Sequence, residues 1–174
     1  MTGKLVYPEY YKNYIAQVQD LDILQSLTKG MDRTISAMSK LSKEEQEKRY
    51  EPGKWTVKEV FGHVLDAERI FGYRALRIAR GDKTSLPGFD ENAFVSNANF
   101  RARSMESLIA EYKALRTSNI ELFKSLDETA LSRVGLANDK EVSVAALGYI
   151  IAGHERHHMG ILASRYGLGE LVSQ

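Results

Sequence analysis

Apolar residues recur at steps of three and four along most of the chain, which is the spacing of an amphipathic α-helix. The clearest run lies between Thr56 and Gly81. Thr56 and Glu59 form a capping box ahead of this run, in which each side chain satisfies a free backbone N–H of the first turn. Four helices of about 20 residues predict an all-α fold, a four-helix bundle. The other three runs span about 21–38, 104–126 and 143–166.

The connections between these helices differ in length. The connection at 82–103 contains Pro87-Gly88 and is long enough to run the length of a bundle. We therefore expect a long crossover connection between the second and third helices, which would run parallel. The connections at 41–55 and 127–142 are shorter, and short connections are typical of antiparallel neighbours.

The length of the chain indicates one domain. Its 174 residues suffice to bury a sizeable core. We expect a single four-helix-bundle domain over 1–174, with an N-terminal arm at 1–18 and a C-terminal tail at 167–174. The arm contains four tyrosines and is expected to pack on the outside of the bundle.

The composition argues against several classes of protein. Lysine and arginine total 24 against 23 acidic residues, and without a basic run this balance predicts no nucleic-acid partner. The chain has no cysteine, so disulfides, thiolate metal sites and a cysteine nucleophile are excluded. It also has neither the apolar core of a signal peptide nor 18 consecutive apolar residues, which predicts a cytoplasmic protein without a membrane partner.

All four histidines lie in two of the predicted helices. His154 and His158 are four residues apart on the apolar stripe of the fourth helix, so both imidazoles point into the bundle. His63 lies on or beside the inward stripe of the second helix. Three imidazoles from two helices can converge on one metal ion and leave it an open position, which is typical of catalytic and not of structural zinc sites.

Other interpretations of these residues stay open. A single inward histidine is more often a hydrogen-bonded core residue than a ligand. His157 points about 60° to one side of the pair, as suits a surface or orienting residue as well as a ligand. Carboxylates within a turn of the histidines are candidates to accept the second N–H of a ligand ring, although charged residues on an exposed helix are more often simply solvated. These carboxylates are Glu59, Asp66 and Glu155.

The run from His154 to His158 also contains the zincin motif H-E-x-x-H, in which Glu155 would be the general base of a metalloprotease. Only 16 residues follow His158, and none of them is a histidine that could act as a third ligand. No strand is predicted that could hold a peptide substrate. A metalloprotease is therefore disfavoured.

Longer stretches of the chain resemble the DinB/YfiT-like metalloenzyme family. GKWTVKE at 53–59 and GHVLDAER at 62–69 are similar to the second helix of that family. LPGFDEN at 86–92 and YIIAGHERHH at 149–158 are similar to its loop and its fourth helix. The resemblance implies a four-helix bundle, often a homodimer, that holds a divalent metal such as zinc or nickel on three histidines. By position these ligands are His63, His154 and His158.

The resemblance also implies an enzyme that acts on a small molecule. Some relatives conjugate or isomerise small electrophiles with a low-molecular-weight thiol such as bacillithiol or mycothiol, and a chain without cysteine would have to borrow its thiol. We therefore expect a metal-dependent S-transferase of this kind. The alternatives are a metal-dependent hydrolase of small esters or amides and a non-catalytic metal-binding helical module.

Overall fold

The computed structural model describes residues 5–169. Residues 1–4 of the predicted arm and most of the predicted tail lie outside this range. The described chain is mainly helical, with two short 3-10 helices at Glu9–Tyr11 and Phe100–Ala102 and one antiparallel hairpin. The hairpin consists of β1 (Val134–Ala137) and β2 (Lys140–Ser143). The α-helices are α1 (Lys12–Ala16), α2 (Ile23–Ser39), α3 (Lys43–Glu47), α4 (Val57–Ala79), α5 (Glu91–Asn97), α6 (Met105–Lys124), α7 (Glu128–Ser132) and α8 (Val144–Ser164).

The four long helices α2, α4, α6 and α8 form the predicted four-helix bundle, which is confirmed. Helix α2 packs mainly against α6 and α8, and α4 packs against the same two helices. Helices α2 and α4, and likewise α6 and α8, therefore occupy opposite corners of the bundle. The expectation that the helices joined by short connections are neighbours was wrong. Each short connection contains its own structure, α3 in one and α7 with the hairpin in the other, which gives it the reach to cross the diagonal.

Helices α4 and α6 run in the same direction. Near the start of both helices the Phe61 and Tyr112 rings lie 5.4 Å apart, and further along both helices Gly72 faces Asn119. The segment between α4 and α6 therefore returns along the bundle. Helix α8 runs opposite to α4. Among residues 5–169, no helix is both long and apolar enough to span a membrane.

A layer of charged side chains separates two apolar halves of the core. Arg116 of α6 is fully buried and binds Glu68 of α4 with two hydrogen bonds, of 2.6 and 2.8 Å. The same guanidinium donates to Glu155 of α8 at 2.7 Å. Thr34 of α2 donates to the other oxygen of Glu155 at 2.5 Å, and Asn119 donates to Glu68 at 3.1 Å. This network, which we call the Arg116 layer, joins all four helices.

Replacing Arg116 by methionine tests the Arg116 layer. Arg116→Met removes the cation that pairs with both buried carboxylates, and leaving buried charges without their partner costs about 3–5 kcal/mol. We expect a loss of this size in the free energy of unfolding, measured by urea denaturation. The matched control is Arg103→Met, because Arg103 pairs with Glu111 where its side chain is 31% exposed and such a pair contributes about 0–1 kcal/mol. Equal losses in the two variants would contradict the prediction.

Candidate metal centre

The three histidines selected from the sequence converge between α4 and α8. The Nε2 atoms of His63 and His154 lie 3.1 Å apart, and so do those of His158 and His154. All three candidate ligand atoms lie within 4.8 Å of one another. Two nitrogens that bind zinc at ~2.05 Å in tetrahedral geometry are about 3.4 Å apart. The spacing of the three nitrogens therefore suits one divalent ion.

Glycines beside these histidines let other parts of the chain close over the cluster. A Cβ atom on Gly153 would lie 2.1 Å from the backbone oxygen of Tyr14, so only glycine permits α1 to lie against α8 here. A Cβ atom on Gly62 would lie 2.4 Å from the Phe100 ring. The α8 backbone next to His154 therefore contacts the N-terminal arm. The α4 backbone next to His63 contacts Phe100 of the long connection.

Burial keeps the three histidines neutral. It lowers the pKa of His63 to about 4 and that of His158 to about 3. Burial also holds the pKa of His154 well below its ordinary value, and its histidine neighbours lower it further. A metal ion binds imidazole only in the neutral form, through the nitrogen without a proton. At neutral pH all three rings are therefore ready to bind a metal.

Aromatic rings surround the cluster. The Trp55 ring lies 5.0 Å from His63, and the rings of Phe71 and Tyr14 lie 5.6 and 5.5 Å from His154 (centroid distances). The N-terminal arm does not simply lie on the outside, because Tyr14 forms part of this wall and the following residue, Ile15, is fully buried.

These three rings were not among the site residues predicted from the sequence. Trp55 carries a usable signal, since it directly precedes the capping box at the start of α4 and lies eight residues before His63. Phe71 lies on the apolar stripe of α4, eight residues after His63, whereas no local pattern in the sequence indicates Tyr14.

Two of the three carboxylates that are candidates to orient the histidines have other roles. Glu59 accepts the backbone N–H of Thr56 at 2.6 Å, as the capping box requires, and lies 3.1 Å from Arg49. Glu155 uses both oxygens in the Arg116 layer. A helix turns its successive side chains by about 100°, so Glu155 faces Arg116 while the preceding residue, His154, faces the cluster. The expectation was wrong for both glutamates.

Asp66 and His157 lie near the cluster without joining it. Asp66 is half-buried, burial raises its pKa, and no hydrogen bond within residues 5–169 links it to a histidine. The His157 ring is 5.2 Å from the His158 ring and 5.0 Å from Tyr14 (centroid distances). His157 is not a member of the group of candidate ligands.

A cavity of about 290 Å³ lies beside the cluster, and His158 forms part of its wall. Trp55 and Val60 at the start of α4 line one side of it, and Ile161 and Tyr166 at the end of α8 line the other. We call it the His158 cavity. A small molecule in this cavity would reach the cluster at His158.

Comparison with known proteins places this geometry in context. The family model described as the DinB superfamily matches residues 26–162. A protein of Oceanobacillus iheyensis named "Putative metal-dependent hydrolase OB0413" is 26% identical over 160 residues, which cover 90% of this chain and 88% of that protein.

Solved structures share the fold. YfiT from Bacillus subtilis, described as a probable metal-dependent hydrolase with an unusual four-helix bundle topology, superposes with a TM-score of 0.71 at 16% identity. That match covers 98% of this chain and 91% of YfiT. The DinB-like protein YjoA from the same organism gives a TM-score of 0.58 at 20% identity and covers 85% of this chain and 92% of its own.

The lowered histidine pKa values predict a pH-dependent stability of the metal-free protein. The pKa of His63 is about 4 in the folded chain, against an ordinary value of 6.5. Below pH 6.5 the unfolded chain therefore binds a proton that the folded chain does not. Between pH 7 and pH 5 this one group should lower the free energy of unfolding by about 2 kcal/mol.

Urea denaturation of the wild type and of His63→Gln at pH 7 and pH 5 measures the contribution of His63 to this loss of stability. Glutamine does not titrate, so the variant should lose less stability on acidification than the wild type does. An identical loss in both proteins would contradict the prediction.

Proposed function

The chain belongs to the DinB superfamily, and we propose that it is a metal-dependent enzyme whose divalent ion is held by His63, His154 and His158. The observation that carries this proposal is the convergence of three neutral imidazoles beside a cavity, with the Nε2 atoms of His63 and His158 each 3.1 Å from that of His154. The names of the Oceanobacillus and Bacillus relatives, which describe metal-dependent hydrolases, support it. Three ligands on the protein side leave a catalytic ion an open position.

The side chains around the cluster have separate roles in this proposal. The three imidazoles bind through Nε2, which requires the ring proton to sit on Nδ1. Phe71 and Tyr14 cover His154, and Trp55 covers His63. These rings limit the access of water, so that a substrate approaches through the His158 cavity. A divalent ion on three neutral ligands keeps its full charge and is a Lewis acid that favours the anionic form of a thiol or of water.

We propose that the reaction is the transfer of a low-molecular-weight thiol to a small electrophile. The thiol loses its proton to water and its sulfur forms a bond to carbon. In a substitution a leaving group departs with its electron pair, and in an addition the electrophile's π bond opens and its other carbon takes up a proton. The chain has no cysteine, so the sulfur would have to come from a separate molecule. A second candidate is hydrolysis of small esters or amides, which the names of the relatives favour.

Metal content tests the proposed ligands. We expect the wild type to hold close to one equivalent of zinc or nickel, measured by elemental mass spectrometry after reconstitution and dialysis. His63→Ala, His154→Ala and His158→Ala should each lose it, because two imidazoles hold a divalent ion far more weakly than three do. His157→Ala is the matched control on the same helix and should retain the metal. A wild type that takes up neither zinc nor nickel would refute the proposal.

Turnover assays separate the two reactions. Metal-loaded protein should consume a thiol and an electrophile together, and both a chelator and His158→Ala should abolish this. Thiol consumption that neither treatment affects would contradict metal dependence. Ester cleavage at the same rate with and without thiol would favour the hydrolase over the transferase.

A further inference from the structure

The end of the His158 cavity around Tyr50 is basic. The Lys54 ammonium lies 5.9 Å from the centroid of the Tyr50 ring, and the Arg165 guanidinium carbon lies 5.6 Å from the same centroid. Both side chains, and Tyr50 itself, line the cavity. Within residues 5–169 neither cation forms an ion pair with a carboxylate. Glu59 is already paired with Arg49 at 3.1 Å.

The wall between this basic end and His158 is largely apolar. Trp55, Val60 and Ile161 contribute to it, and Trp55 also contacts His63. A volume of about 290 Å³ is at the small end of the range for ligand pockets, about 300–1,000 Å³. The cavity therefore suits a small molecule with one apolar part.

A carboxylate also lies near the histidine cluster, next in the chain to Asn92, which lines the cavity. Glu91 at the start of α5 acts electrostatically on both His63 and Tyr14. An anionic group is therefore repelled near Glu91 and attracted at the Tyr50 end. The charges around the site thus favour one orientation of an anionic molecule.

We infer that the His158 cavity binds a small molecule that has an anionic group and an apolar body. The anionic group is held between Lys54 and Arg165, and the apolar body packs on Trp55. The other end of the molecule then lies at His158. The inference names the substrate class of the proposed enzyme, and only the reacting end rests on the proposed function. The preference for an anion depends on the cavity alone. It applies equally to an electrophile and to a thiol cosubstrate that carries such a group.

Trp55 makes this binding directly measurable. It is the only tryptophan of the chain and lines the cavity, so its fluorescence reports a ligand there. We would titrate metal-free and zinc-loaded protein with 3-phenylpropionate and with the neutral 3-phenylpropionamide. The acid should bind roughly tenfold more tightly than the amide, since each part-exposed charge pair contributes roughly twofold to fivefold. The difference should shrink as salt is added.

Variants that remove a charge test whether Lys54 and Arg165 cause the preference for the acid. Lys54→Gln and Arg165→Gln should each weaken binding of the acid by roughly twofold to fivefold and leave binding of the amide unchanged. Arg156→Gln is the matched control, because Arg156 lies on α8, is exposed and does not line the cavity. Equal affinity for acid and amide, no binding of either probe, or equal weakening by Arg156→Gln and Arg165→Gln would overturn the inference.

The outcomes also separate this inference from the proposed function. If the acid is preferred but the protein takes up no metal, the cavity inference stands and the proposed function fails. If metal is taken up and turnover occurs without any preference for the acid, the proposed function stands and the cavity inference fails.

Discussion

The Arg116 layer is the interaction on which the rest of the structure depends. Its two carboxylates come from the helices that carry the histidines, with Glu68 five residues after His63 and Glu155 directly after His154. A single guanidinium therefore sets α4 and α8 at one height relative to each other. A bidentate pair has strict geometry. Sliding either helix by one turn would therefore break the layer and, at the same time, move the histidines apart.

Burying three charged groups would be costly if their hydrogen-bonding atoms lacked partners. The layer is tolerated because Thr34 and Asn119 also donate to the two carboxylates. It also divides the core into two apolar halves, each with its own packed side chains. The histidine cluster is one residue along α8 from this layer, since His154 directly precedes Glu155.

Sequence reasoning succeeded where a rule acts within one helix and failed where partners come from other helices. The spacing of His154 and His158 placed both on one face, and the structure has them there. Glu155 was misassigned because its partners, Arg116 and Thr34, are distant in sequence. The N-terminal arm was underestimated for the same reason, since the contact of Tyr14 with Gly153 leaves no local pattern.

The sequence by itself determined the four long helices, the capping box at Thr56 and the inward direction of the histidines, because helical periodicity and backbone capping are local properties. The tertiary structure alone decided that His63 meets the pair on α8, that Tyr14 and Phe71 cover them, and that Lys54 and Arg165 meet at Tyr50. These contacts join residues tens of positions apart. They depend on the order in which the helices pack and on their relative height, which packing and the buried charges of the Arg116 layer fix together.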